Sequence, residues 1–421
     1  MRAGAWERVR MGLFVVIFGF SAQLATADSR CSTDPCPANQ YHAGFAKVDI
    51  SPVIGKDVVP VLEGEPQLVT KIHDPLFAKA LIITDGSTSV AVVALDLIGL
   101  SPAAFAKLQQ YLVDNSQHDH LVLSLTHTHS GFIDEQTLPL LKANALAAIT
   151  LANSNLEPVQ IGAASARVDE AYNRRVYAER GVEMLWQNPD RKPNRPVDNE
   201  LGVIHIQRLD GSPLVNIVNY SAHPTITMDL HTVVVSADYP SVITTRLSQS
   251  VGGEVMFLLG AAGDVNPFDS GTQPTALAVE KMHQLGTKLA DAAARSVANI
   301  SVFTQSGNIG IDTHSVNNPA AELSAIYLPP NILLATFPGE YFNELGLQLK
   351  TQSPVQHTFF IGYTNGTIGY VPTTEDFARG GYGADSTSMH PSTTALTGQQ
   401  HIKASLELIM KLVERDSTQQ R

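Results

Sequence analysis

Only two cysteines occur in 421 residues, which excludes a Cys-rich zinc site and a disulfide scaffold. Any metal must then be held by His, Asp, Glu or Tyr. Charge is sparse as well: Asp, Glu, Lys and Arg make up 16% of the chain, with 40 acidic against 28 basic residues and a net charge of −12. That balance repels phosphate backbones, and no block of Lys or Arg supplies a local exception, so the composition argues against nucleic acid as a partner. An apolar fraction of 44% argues against disorder and is ample for a core. The sequence has no internal repeat, low-complexity tract or long Pro/Ser linker, which favours one continuous domain. Beyond the N-terminus no stretch is long and apolar enough to span a bilayer.

What is present begins with an address. Arg2, Arg8 and Arg10 precede an apolar run from Gly12 to Phe20, and Ala25-Thr26-Ala27 offers the small-x-small pattern of a signal-peptidase site. Residues 1–27 are expected to be a signal peptide, with an uncleaved membrane anchor as the alternative. The mature protein would then begin near Asp28 and be secreted or periplasmic. In the segment 28–44, Cys31 and Cys36 are a candidate small-loop disulfide, natural in an oxidising compartment. The remaining residues, 45–418, are expected to form one domain.

Apolar runs bounded by Gly, Pro, Asn and Asp predict strands over 76–84, 90–97, 121–126, 202–209, 214–220 and 255–260. Helical spacing predicts helices over 102–113, 138–152, 239–250 and 275–297, with a final helix over 406–414. Strand and helix alternate, with a strand-rich patch over 159–220. The expected fold class is α/β: a layered single domain with a mixed β-sheet and flanking helices.

The strongest local feature is Leu121-Val-Leu-Ser-Leu-Thr126-His127-Thr128-His129-Ser130-Gly131. Extended backbone would send His127 and His129 to the same side of the strand's carboxyl end, where open α/β sheets place their ligands. A bare His-x-His pair also fits a polar strand cap. A second strand ends in His223-Pro224, where the proline biases His223 toward extended geometry; alone, that residue reads equally as a structural histidine. A third ends in Gly260-Ala-Ala-Gly-Asp264-Val-Asn266-Pro267, whose small residues permit close approach of backbone to a ligand. Glu340, in Phe337-Pro-Gly-Glu-Tyr341, is expected at the start of a helix running to Gln348, where it would complement the helix dipole. Two or three histidines with one carboxylate are also what a catalytic zinc ion requires, although spacing does not single out Glu340.

Taken in order, Phe45-Ala-Lys-Val-Asp49-Ile-Ser51-Pro52, Thr126-His-Thr-His-Ser-Gly131, Asn219-Tyr-Ser-Ala-His-Pro224, Gly263-Asp-Val-Asn-Pro267 and Pro338-Gly-Glu-Tyr341 resemble the neutral/alkaline non-lysosomal ceramidase family. The resemblance runs from about Phe45 to the last helix. It implies one Zn2+ per chain and hydrolysis of the amide of an N-acylsphingosine or other N-acyl lipid by a zinc-bound water. His127 and His223 resemble the imidazole ligands, Glu340 the carboxylate ligand, and Tyr370, in Gly369-Tyr370-Val-Pro-Thr-Thr-Glu-Asp-Phe, the tyrosine ligand. His129 matches the catalytic histidine, Arg174 the arginine near the scissile carbonyl, and Tyr382 a further tyrosine on that carbonyl. A lipid-like substrate also implies membrane-surface contact.

Two departures stand out. The family carries serine in Gly-Asp-Val-Ser-Pro where this chain has Asn266, and an amide side chain cannot be a nucleophile. Asn266, with Asp264, is instead expected to orient substrate or water. The family also appends a C-terminal β-sandwich, and the residues after Ser388 are too few to build one of roughly 100 residues. Two rival readings remain: a zinc-binding relative acting as an inactive or differently specific binding module, and a TIM-barrel amidohydrolase, which also uses His-x-His on a strand. Sequons stand at Asn219, Asn299 and Asn365.

Overall fold

Short runs of Val, Ile, Leu and Ala, bounded by turn residues, make buried strands. In the computed structural model, which describes residues 39–132, 135–316 and 321–419, eight of them form one mixed sheet. They are β1 (His42–Asp49), β2 (Phe77–Thr84), β3 (Ser89–Leu95), β4 (His120–Leu125), β5 (Glu157–Arg167), β6 (Glu200–Arg208), β7 (Pro213–Tyr220) and β8 (Glu254–Leu259). Their spatial order is β8-β7-β6-β5-β1-β2-β3-β4. Inner neighbours are antiparallel, whereas β3 with β4 and β7 with β8 are parallel. A parallel pair needs a crossover. Of the helices α1 (Pro102–Ser116), α2 (Leu138–Ser154), α3 (Tyr239–Val251) and α4 (Thr275–Ala298), α1 and α3 provide the two crossovers. Ser101 starts α1 by accepting from Ala104 N at 3.3 Å, with Pro102 in the first turn.

Helices α1 and α2 cover the outer face of β1–β4 through Phe105, Leu108 and Leu141, and α3 with α4 cover β5–β8 through Ile243, Leu247 and Leu289. The inner face packs on a second, four-stranded sheet of β9 (Gly310–Ser315), β10 (Glu322–Leu328), β11 (Ile332–Thr336) and β12 (His357–Ile361). Beyond it lie α5 (Asn343–Gln352) and α6 (Thr397–Gln419). The result is a layered α/β/β/α domain of the expected class. Each fully buried Leu, Ile or Val between the layers contributes about 1.5–3 kcal/mol of transfer free energy.

The large sheet curls until β8 comes against β3 and β4, and residues 360–366 fill the remaining gap. Gly362 N donates to Leu259 O at 2.9 Å, Leu125 N to Tyr363 O at 3.1 Å, and Leu123 N to Asn365 Oδ1 at 2.8 Å. The carboxyl ends of β4, β7 and β8 therefore face one place, as a crevice of an α/β sheet requires.

The expected strands of the large sheet and helices α1 to α4 appear within a few residues of their predicted bounds. Four expectations change. The mostly antiparallel sheet is not a (β/α)8 barrel, which removes the TIM-barrel reading. The four-stranded sheet went unread. The last helix starts well before residue 406, because its opening turns are polar and lack an apolar period. Glu340 lies in a short strand, Glu340–Tyr341, and the helix after it begins at Asn343. Among the sequons, Asn219 and Asn365 are buried, with their amides bonded to backbone, and Asn299 is exposed. The expected leader and the Cys31–Cys36 pair lie outside the described residues. Among the described residues no helix is long and apolar enough to cross a membrane.

Candidate metal centre

Strand β4 ends at Leu125, and the two histidines after it meet by a route other than strand alternation. His127 has φ +61°, a left-handed conformation uncommon for a residue with a side chain. The turn is fixed by Thr126 N to Leu95 O and His127 N to Leu97 O, both 2.9 Å, and His129 N to Pro224 O at 3.0 Å. Gly131 is needed here, since a Cβ would lie 2.6 Å from Asp96 O. The rings of His127 and His129 stand edge to face at 4.8 Å, and their Nε2 atoms are 3.3 Å apart. Nδ1 of His127 hydrogen-bonds to Ile98 O.

His223, fully buried after β7, is held by Val265 on both sides: its own N donates to Val265 O at 3.1 Å, and its Nδ1 reaches the same oxygen at 3.0 Å. Glu340 is registered against Tyr370 in a parallel two-stranded ladder, with Glu340 N donating to Gly369 O at 2.9 Å. Its Oε2 lies 3.0 Å from His223 Nε2 and 3.4 Å from His127 Nε2. Its Oε1 accepts from Tyr363 OH at 3.2 Å. The Tyr363 ring also stacks on His127 at 4.2 Å.

Burial pushes His223 down to about 4 and His129 well below the usual imidazole range, with neighbouring positive charge adding to the effect on His129. Burial alone would raise Glu340, but the charges and hydrogen bonds of His127 and His223 together outweigh it and hold the carboxyl well below its usual range. Burial and then the charge of Glu340 push the Tyr370 phenol well above its usual range.

These states test the fit to a cation. With His223 Nδ1 on Val265 O, its Nε2 is the nitrogen that faces the Glu340 carboxylate 3.0 Å away. With its Nδ1 on Ile98 O, His127 turns its Nε2 toward the same oxygen at 3.4 Å. Two imidazole nitrogens and a carboxylate oxygen at this range call for positive charge between them, which a cation supplies to all three at once. Ligands about 2.0–2.2 Å from a tetrahedral zinc stand roughly 3.3–3.6 Å from one another, close to the separations seen. The ligand atoms of His127, His129 and His223 all lie within 4.8 Å of each other. The donor set thus fits a divalent zinc-like cation. The far nitrogens separate the three rings: those of His127 and His223 are fixed by carbonyls, as metal ligands usually are, whereas Nδ1 of His129 is buried without a hydrogen-bond partner.

Arg174 is buried beside this cluster. Its Nη2 donates to Gly263 O at 2.8 Å and to Tyr370 OH at 3.1 Å, and its Nη1 to Asn266 Oδ1 at 3.4 Å. Its Nε has no partner. Trp186, Tyr370 and Tyr382 surround the guanidinium at 5.2–5.7 Å from their ring centres, and the Tyr370 and Tyr382 hydroxyls are 3.4 Å apart. The hydrogen-bond partners of Tyr370 OH are therefore Arg174 and Tyr382. Asp264 and Asn266 lie beside Arg174 with partners of their own. Buried, Asp264 accepts from Asn173 Nδ2 through one oxygen and from Asn343 N at 2.7 Å through the other. Asn266 Nδ2 faces Ser270 Oγ at 3.2 Å and Trp186 O at 3.5 Å, so it ties Arg174 to the Trp186 loop.

Sequence reasoning missed Tyr363 and Trp186. Tyr363 had a signal, since it follows an apolar strand end just as His127 and His223 do. Trp186 lies in an irregular segment with no period to read.

No protein-family model matches the chain. Among solved structures it is similar to neutral ceramidase from Pseudomonas aeruginosa, with a TM-score of 0.71 and 16% identity over 89% of this chain and 75% of that one. It is equally similar to a ceramidase complexed with C2, at TM-score 0.71 and 16% identity over 90% of this chain and 76% of that one. The chain has the fold of neutral ceramidase, as the ordered motifs led one to expect.

Proposed function

We propose that this chain is a zinc-dependent hydrolase of the neutral-ceramidase type, cleaving the amide bond of an N-acyl lipid-like substrate. The observation that carries the reading is the convergence of His127 Nε2 and His223 Nε2 on one Glu340 oxygen, at 3.4 and 3.0 Å, with both far nitrogens on carbonyls. His127, His223 and Glu340 would hold the ion, with Tyr370 as the fourth protein ligand. A zinc ion there supplies Lewis-acid charge that acidifies a water toward a pKa of about 7 and polarises a carbonyl.

The chain's own groups do the rest. His129, neutral and with a free Nδ1, carries a proton to the leaving nitrogen, work worth about 10²–10⁴-fold in rate. The unpartnered Arg174 Nε and the Tyr382 hydroxyl donate to the oxygen on which negative charge develops, in a site dry enough to make such donors count. Asn266 offers no nucleophilic oxygen, so no acyl-enzyme forms through it. The reading includes the leader over residues 1–27, a secreted or periplasmic place of action and access to substrate from a membrane surface.

Metal analysis and turnover of purified variants test it. His127→Ala and His223→Ala should lose zinc, while His129→Ala keeps zinc and loses rate by about a hundredfold or more. Full zinc occupancy in the first two would remove the ligand assignment. Bound zinc without hydrolysis of a panel of N-acyl lipids, N-acyl amino acids and short esters would favour a binding module.

A further inference from the structure

Asp238 is fully buried at the start of α3 and holds φ +57°, ψ −156°, a region that side chains other than glycine's rarely tolerate. Its carboxylate meets only neutral donors: Thr227 N and Thr227 Oγ1 at 2.8 Å each, and Tyr239 N at 2.6 Å. A buried, strained carboxylate without a cationic partner is costly to keep, and its bonds indicate what it is kept for. Because Thr227 gives its hydroxyl proton to Asp238, Ser130 must donate across the 3.0 Å contact to Thr227 Oγ1. A directional chain thus runs from Ser130, next to His129, through Thr227 to Asp238. The backbone around Asp238 tightens the same junction. Ser236 N donates to Ser130 O at 3.0 Å, Thr128 Oγ1 to Ser236 O at 2.8 Å, and Asp238 N to Ser236 Oγ at 2.9 Å. Tyr239 OH donates to Ala222 O at 2.6 Å, one residue before His223.

We infer that Asp238 is a positioning residue for the metal centre, clamping the segment that carries His127 and His129 to the segment that carries His223. Neither segment is set by its own strand alone, since β4 is one edge of the sheet and β7 lies next to the other edge, so that they meet through the sheet's curl. The inference rests on the zinc reading above.

Its test uses cobalt(II) as the probe, titrated into the full chain freed of metal, with the ligand-field spectrum and the dissociation constant as readouts. Asp238→Gly relieves the backbone strain and removes the clamp; Thr227→Val cuts the hydroxyl chain; Thr227→Ser restores it. Asp238→Gly and Thr227→Val should bind cobalt about 10–100-fold more weakly than wild type, with metal-free thermal unfolding little changed, while Thr227→Ser binds as wild type does. Should Asp238→Gly fail to fold, the Thr227 pair decides the matter. Wild-type affinity and spectrum in Thr227→Val, or equal losses in Thr227→Ser and Thr227→Val, would overturn the clamp while leaving the metal centre intact. A wild-type chain that takes up no cobalt would overturn the metal centre and the clamp with it.

Discussion

Trp186 and Tyr382 stand edge to face at 5.1 Å and remain 48% and 42% exposed, above a guanidinium that is itself buried. Large rings left open beside a buried polar group suit an amphiphile with one wet end and one apolar end. Of the two tryptophans, Trp6 falls in the expected leader and Trp186 is the only one among the described residues, so in protein beginning at Asp28 its emission is a local probe. Adding a long-chain N-acyl amide such as N-lauroylethanolamine should blue-shift that emission, and N-acetylethanolamine at the same concentration should not. Identical spectra with both would separate Trp186 from the acyl chain. At this scale the sequence singled out His127 and His223 at strand ends, and the structure brings both beside Glu340. It could not reveal that Asn173 and the backbone of Asn343 bond the Asp264 carboxylate, because both reach it from elsewhere in the fold.

Strands and turns determine how close Glu340 and the two imidazoles come. Gly263, in the turn after β8, lies against the strand Glu340–Tyr341, and a Cβ there would fall 2.5 Å from Glu340 O and 2.8 Å from Tyr341 O. Backbone atoms cannot rotate aside as a flexible side chain can. Gly263→Ala should push that strand outward, at about 1–3 kcal/mol of overpacking, and draw the carboxylate from the imidazoles. Zinc affinity should fall by more than tenfold in a protein that still folds; unchanged affinity would mean that the strand adjusts without moving Glu340. Local pattern made the strands and the long helices legible. It misplaced Glu340 on a helix because Asn343 to Gln352 does form one, and nothing in the local residues marks where the preceding two-residue strand gives way to it.

Acid should loosen the whole metal-free molecule. Burial lowers His120, His223 and His401 from 6.5 to about 4, so between these values the unfolded chain binds protons that the folded one refuses. Stability therefore falls as pH drops from about 6.5 to 4. Asp238 opposes this: burial raises it to about 6, so its cost is relieved as pH falls. Asp74, Asp264 and Glu322 are raised by burial in the same sense, while His129 and His357 are lowered like the other three imidazoles, so five imidazoles work against four carboxyls and the expected net direction is a loss. The unfolding temperature of chelated protein should decline steadily through that window. A flat profile would mean that these imidazoles are better hydrated than their burial implies.

The order of chemistry along the chain, the alternation of strands with helices and the apolar faces that build the layers follow from the sequence alone, because periodicity and residue type are local properties. The meeting of Glu340 with His223, 117 residues away, the stacking of Tyr363 on His127 and the strained turn at Asp238 belong to the tertiary structure. They depend on how far a sheet of eight strands curls and on backbone angles that only its closure enforces.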